Sequence, residues 1–310
     1  MATLTAKYTI APLYLDPFGT PPPVPFSLTE GVTFDSVEGI LEPKNFSLWE
    51  GHASPEALKS LSKITYALVH RFSSSAYFQG ETEESSREIV HRLFVCLRVV
   101  KPTRTPFFYI QYQEIDGKKD VFSFVEPQDS LSLNLPESEV LNHLNIEDLL
   151  MLRRLAPTFL KAQREGPAHL RRAIRYYESG YVSTREADLQ LTVWMMGIEA
   201  LFSYGDEPCD VETIKARIAD VVGLNTDIYK EFEQRDLYAT EAVTVGEVLD
   251  RMFELRNRFV HGAWVPKAWF DQSMRMAISG GSLSIADVVR EAASFILRSG
   301  IQHRLLNYNS

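Results

Sequence analysis

From Leu189 to Phe202 the chain carries Leu189, Leu191, Val193, Trp194, Met195, Met196, Ile198, Ala200, Leu201 and Phe202. A helix that is apolar almost all round has to be the buried centre of a set of packed helices. Ser183-Thr184-Arg185-Glu186 ahead of it has the spacing of a capping box, and Gly205 would end it. Glu199 is the exception inside the run. A carboxylate among Trp194, Met196, Ile198, Leu201 and Phe202 must either reach solvent on the edge it shares with Gln190 and Thr192, or find a cation. Arg256 is the natural cation, because a charge-assisted contact would hold its fork in place.

The rest of the second half reads as helices around that centre. Asn145-Ile146-Glu147-Asp148 caps a helix to about Arg164, broken by Gly166-Pro167. His169 to Glu178 forms a short helix ended near Gly180. Asp210 to Val222 is another, with Ile214, Ile218, Val221 and Val222 on one side. Thr226 to Asp236 is a candidate short one, and Pro266 to Gly281 is ill-defined. Ser284 caps a final amphipathic helix to about Leu306.

The helix before that last one stops in a distinctive way. Val248, Leu249, Met252, Phe253, Leu255, Phe259 and Val260 recur near helical spacing, and Gly262 occupies the place where a left-handed backbone is often needed. Its last turn holds Arg256, Asn257, Arg258 and His261. Cations there are favoured by the helix dipole. The same four side chains also make a phosphate-handling set: two guanidinium forks, an amide and a titratable imidazole. Trp264 and Trp269 follow, placed either to stack a base or to pack the end of the helices.

The first half mixes periods. Ala6 to Leu15 and Val32 to Leu41 have short β-like character. Pro21-Pro22-Pro23 reads as an extended connector. Ser54-Pro55-Glu56-Ala57 looks like a helix start, predicting a helix to about Phe72 with Leu58, Leu61, Ile64, Leu68 and Val69 inward. Gly80 to Ser86 is a polar loop, and Glu84 to Val99 a second helix. Phe107 to Tyr112 and Val121 to Val125, around Asp116-Gly117, form the clearest β-hairpin.

Charge and cysteine content bound the function. Formal net charge is -9, which argues against coating long nucleic acid through a broad basic face but leaves room for a small phosphate site. Cys96 and Cys209 have neither paired nor metal-like spacing, so a reducing, cytoplasmic setting is expected. The start lacks the pattern of a secretory signal, and no run approaches the ~20 apolar residues of a membrane span. The first half holds no glycine-rich phosphate loop, metal-spaced His/Cys cluster or nucleophile elbow. His52, His70, His91, His143, His169 and His303 are scattered, so core or surface roles are expected. No cofactor is expected.

Taken together, Leu191-Thr192-Val193-Trp194-Met195-Met196-Gly197-Ile198-Glu199-Ala200-Leu201-Phe202, the helix at Ile214 to Gly223, and Leu255-Arg256-Asn257-Arg258-Phe259-Val260-His261-Gly262 resemble an Apea-like HEPN domain. The resemblance covers roughly Leu170 to Leu306; none is found for Met1 to Leu150. It implies an up-and-down helical bundle, placed over 145–310; the residue patterns add an α+β N-terminal region with a β-hairpin over 1–144, expected to be a sensor or regulatory module, so that the chain is mainly α. It further implies a homodimer in which Arg-x4-His motifs of two copies meet to cut RNA without a metal ion. Arg256 and His261 match the motif ends, Asn257 its polar second position, and Glu199 the acidic residue of the central helix. Arg258 lies outside the motif but close enough in sequence to add a phosphate contact.

Histidine titrates near neutral pH and suits the proton transfers of ribose 2′-hydroxyl attack. Arginine suits the phosphoryl oxygens. Two readings of such a domain stand open, beside a third in which the whole chain is an interaction scaffold and the likeness is one of helix texture. One is an endoribonuclease, as a toxin or antiviral effector, with the N-terminal half docking a regulatory protein. The other is a non-catalytic HEPN domain that binds nucleotide or RNA, or serves as a dimerisation scaffold. No membrane partner is expected.

Overall fold

Strand formers dominate the first unit of the chain and helix formers the second; the two units are Met1–Leu160 and Lys161–Ser310. The computed structural model describes residues 6–13, 23–37, 64–73, 83–102, 107–115, 118–125, 144–182, 187–203, 209–228, 243–263, 265, 269, 273–276 and 282–308. Among these the protein is mostly helical, with seven helices and an N-terminal antiparallel sheet.

The sheet contains β1 (Ala6–Leu13), β2 (Phe26–Thr29), β3 (Val32–Ser36), β4 (Tyr66–Ser73), β5 (Tyr109–Ile115) and β6 (Lys118–Val125), in the order β2-β3-β4-β1-β5-β6. Every pairing is antiparallel. In the central strand Ile10 lies between Val69 and Ile110, and these three belong to one apolar cluster with Ala67, Phe108 and Tyr112. Alternation sends Thr9 to the other face. There its hydroxyl meets Ser86 at 2.7 Å and Gln111 at 3.0 Å, and Ser86 meets His70 Nδ1 at 2.8 Å. Ser86 belongs to α1 (Glu83–Val100), which packs on β1 and β4. Cys96 is buried in this helix, and burial pushes its thiol pKa up.

The helix expected to run to Phe72 is corrected over its last part, where Tyr66–Ser73 is the strand β4. Ala67, Leu68, Val69 and His70 are all buried. A strand covered on both faces shows an unbroken apolar run, which periodicity alone cannot separate from a buried helix. The expected start at Ser54 lies outside the described residues. Strand β2 was not anticipated; the expected strands at the start of the chain and after Val32 are β1 and β3.

Helix α2 (Ile146–Glu165) starts at a reciprocal cap: Asp148 N–H donates to Asn145 Oδ1 at 2.9 Å, and Asn145 N–H to Asp148 Oδ2 at 3.1 Å. The division between units falls inside α2, after Leu160, whereas the sequence reading puts the boundary before it, at 144/145.

The second unit comprises α3 (Ala168–Val182), α4 (Ala187–Phe202), α5 (Val211–Val222), α6 (Val245–Val260) and α7 (Ile285–Leu306). A two-stranded ribbon, β7 (Ser273–Met276) with β8 (Ser282–Ser284), precedes α7 in the segment left ill-defined by sequence. Helices α4 and α7 each touch the other four helices. Leu191, Trp194, Met195, Ile198, Leu201 and Phe202 of α4 are buried, as an almost uniformly apolar helix requires. The capping-box candidate at Ser183 and the expected stop at Gly205 lie outside the described residues.

Gly180, expected to end α3, lies inside it. Its role is close approach. A Cβ there would sit 2.2 Å from Trp194 Nε1, and one at Gly300 would sit 2.7 Å from a Leu201 methyl. The Trp194 indole N–H donates to the Tyr177 carbonyl at 3.1 Å, closing the same contact. Residues Thr226–Ile228 are not helical: Asp227 bridges to Thr244 instead, and most of the remaining candidate helix lies outside the described residues. Among the described residues no helix is long and apolar enough to cross a membrane.

Two glycine substitutions separate crowding from backbone strain. Gly180→Ala should lower unfolding stability by about 1–3 kcal/mol through overpacking against Trp194. Gly262→Ala meets nothing within 4 Å but has φ +61, so its cost should be about 1–2 kcal/mol, from the left-handed backbone alone. Urea denaturation of both variants measures this. No loss in Gly180→Ala would refute the tight α3–α4 contact.

Candidate functional site

Helix α6 is defined chemically at both ends. At its start Glu247 N–H donates to Thr244 Oγ1 at 3.4 Å, and Thr244 N–H to Glu247 Oε2 at 2.6 Å, a capping box. The Thr244-x-x-Glu247 spacing is a local signal for this start. At its end Ala263 N–H donates to the Arg258 carbonyl at 2.8 Å and Gly262 N–H to the Phe259 carbonyl at 3.2 Å. This is the Schellman arrangement, and it needs the positive φ of Gly262.

Between those ends, Val245, Val248, Leu249, Met252, Phe253 and Leu255 are buried. After Leu255 the helix emerges: Arg256, Arg258 and Phe259 are half-buried, and Asn257, Val260 and His261 are exposed. On the flank, Lys215 of α5 reaches Asp250 at 2.6 Å and Glu212 at 2.8 Å, tying α5 to α6. The contact with Asp250, then that with Glu212, raises the lysine pKa.

Arg256 is the organising side chain of the tip. Its Nη2 lies 2.9 Å from each carboxylate oxygen of Glu199 on α4. Its Nη1 donates to Asn257 Oδ1 at 2.9 Å. Its Nε is buried and has no hydrogen-bond partner. Glu199 has thus taken the second of the two options open to it, and Arg256 is its cation. The side chains are 23% and 31% exposed, so the pair is shielded on one side and open on the other. Because Asn257 accepts through Oδ1, its amide N–H groups stay available to a ligand.

The other two residues are held differently. Arg258 donates through Nε and Nη2 to Glu254 Oε1, at 3.1 and 2.9 Å, one turn back. That contact draws Arg258 along its own helix rather than toward Glu199. His261 caps α6 through its backbone, whose N–H donates to the Asn257 carbonyl at 3.1 Å. Its exposed imidazole takes no part in the cap. The structure thus joins Glu199, Arg256 and Asn257 in one hydrogen-bonded set, with His261 one turn beyond Asn257.

Sequence reading missed Arg217 of α5, whose Nη1 donates to the Phe202 carbonyl at 2.7 Å. It caps the end of α4 close to Glu199; no local pattern marks such a tertiary cap. Trp264 lies outside the described residues, and Trp269 is half-buried. The described histidines elsewhere have ordinary settings. His70 is buried beside Ser86, His91 packs on Phe107, and His303 is exposed. His169 is pushed below its usual value by burial and then by Arg304. Among the described residues no group of three or more His, Cys, Asp or Glu is placed to hold a metal ion. Compared with known protein families, curated proteins and solved structures, the chain matches none.

Two measurements follow from this geometry. A double-mutant cycle with Glu199→Gln and Arg256→Gln should give a coupling of about 1 kcal/mol in urea unfolding, as for a half-exposed ion pair; zero coupling would mean that the pair is not formed in solution. The Thr244 backbone N–H holds the Glu247 carboxyl below its ordinary 4.5. A depressed folded-state pKa contributes stability above the unfolded value and loses it as pH falls through the folded one. The stability gap between wild type and Glu247→Gln should therefore be full above pH 4.5 and shrink below it. A gap that widens with acid would contradict the cap.

Proposed function

We propose that the chain is an endoribonuclease of the HEPN type that needs no metal ion, acting as a homodimer whose site combines Arg256, Asn257 and His261 of two copies. The observation that supports this reading is the tip of α6: an exposed imidazole one turn beyond the Asn257 amide, which the Arg256 guanidinium engages while Glu199 holds that guanidinium in place. Glu199 is a positioning residue in this scheme. Arg258 adds positive charge beside the tip. The second unit is built of five helices packed around α4, in keeping with a helical domain of this type.

The chemistry is attack of the ribose 2′-hydroxyl on the adjacent phosphate. A base removes the hydroxyl proton, an acid protonates the leaving 5′-oxygen, and cations offset the charge gathering on the phosphoryl oxygens. One chain offers one imidazole at the tip. A two-fold pairing of tips supplies His261 twice, one copy for each proton, and lets one short segment build both halves of the site. The N-terminal sheet unit is assigned a regulatory role, docking a protein partner.

The second reading, a non-catalytic RNA-binding or dimerising domain, is favoured by one observation: Nη2 of Arg256 is already engaged by Glu199. Purified protein incubated with mixed RNA in EDTA separates the two. The ribonuclease reading expects cleavage in the wild type, reduced about 10²–10⁴-fold in His261→Ala and about 10²–10³-fold in Arg256→Ala. Equal cutting by wild type and His261→Ala would remove the imidazole from the mechanism, and no cutting by any of them would leave the binding reading.

A further inference from the structure

The helices place a group of cations at the same end of the second unit as the Glu199–Arg256 pair. Gly180 lies against Trp194 and Tyr176 against Gly197, so α3 runs antiparallel to α4 and its first turns lie toward the end of α4. Leu297 faces Gly197 and Gly300 faces Leu201 and Phe202, so α7 runs parallel to α4 and finishes at that end too. Arg171, Arg172 and Arg175 therefore share an end with Glu199, and so do His303 and Arg304. Arg304 lies close enough to His169 to lower its pKa.

This concentration runs against the rest of the chain. Lys161, Arg164, Arg171, Arg172 and Arg175 meet two carboxylates, Glu165 and Glu178, between residues 161 and 178, while the whole chain has 32 Lys and Arg to 41 Asp and Glu. The three α3 arginines are exposed. Among the described residues none of them makes an ion pair. Arg171 and Arg172 also sit near the start of α3, whose first turn has no acidic residue. The helix dipole makes that end positive, so cations there repel it and an anion would relieve both. The polar face of a surface helix must be polar, but it need not be cationic.

We propose that Arg171, Arg172 and Arg175 form a docking face for the sugar–phosphate backbone of single-stranded RNA, on the end of the helical unit that carries Glu199 and Arg256. The inference rests on the ribonuclease reading only for the choice of RNA as the strand. All three cations are arginines, whose planar forks match phosphate oxygens. Arg171 and Arg175, four apart, stand about 5–6 Å from each other on one face and can reach successive charges of a polyanion. A lipid surface fits less well, because a helix lying on a membrane presents exposed apolar residues, and α3 contributes none to the exposed large hydrophobics.

The test uses the full chain carrying His261→Ala, so that bound RNA stays intact, and a fluorescent single-stranded RNA titrated at several salt concentrations. Each lost phosphate contact removes about 0.7 from the slope of log affinity against log salt for single strands. Arg171→Gln/Arg172→Gln/Arg175→Gln should lower that slope by about 2, with a melting temperature no lower than the parent's. An unchanged slope would overturn the docking face. So would binding of the parent to phosphatidylserine vesicles but not to RNA. If the wild type fails to cut RNA while the slope still falls in the triple variant, the docking face stands and the ribonuclease reading falls. If cutting is normal and the slope does not change, the reverse holds.

Discussion

The second unit depends on how closely other helices approach α4. Its side chains are almost all apolar, so it is stable only when covered on every side but one. Gly180 and Gly300 on its neighbours, and Gly197 on α4 itself, remove the side chains that would keep the helices apart. At these three positions a Cβ would fall 2.2–2.7 Å from a packed side chain, well inside any tolerated contact. Close packing transmits position. Because α4 cannot slide or turn, Glu199 on its open edge is fixed in space, and Arg256 is fixed by Glu199.

This explains why a carboxylate is tolerated in such a helix. A half-buried charge costs stability unless a partner meets it, and the partner comes from a helix 57 positions later in the chain. Such a pair adds little net stability. What it does is orient: the guanidinium is pinned at Nη2 and Nη1, so the amide of Asn257 and the imidazole of His261 are presented from a defined helix end. The Schellman close at Gly262 gives that end its shape while leaving the imidazole unused by the fold.

Much of the second unit was legible beforehand because its signals are local. Helix α7 is capped by Ser284 and ends at Leu306 as its sequence implies, and α5 is capped by Asp210 in the same way. The tip of α6 and the Glu199–Arg256 contact were readable because burial of a charge poses a problem with few solutions. Gly180 was misread because a glycine that stops a helix and one that lets two helices touch look alike in one dimension. Strand β4 was misread because burial on both faces erases the alternation that identifies a strand. Arg217 was invisible, since a side chain capping another helix leaves no trace in its own neighbourhood. The role of the sheet unit was the least legible, as its polar contacts, Thr9 with Ser86 and Gln111, join residues 77 and 102 positions apart.

The central claim is that the imidazole and guanidinium at the end of α6 break RNA through its own 2′-hydroxyl. The most direct measurement compares one oligonucleotide sequence made with ribose throughout and with 2′-deoxyribose throughout, each incubated with the wild-type protein in EDTA, with the ends of any fragments identified by mass. The account predicts cutting of the ribose strand alone, leaving 2′,3′-cyclic phosphate ends. Equal cutting of both strands, or fragments ending in a 5′-phosphate, would contradict it.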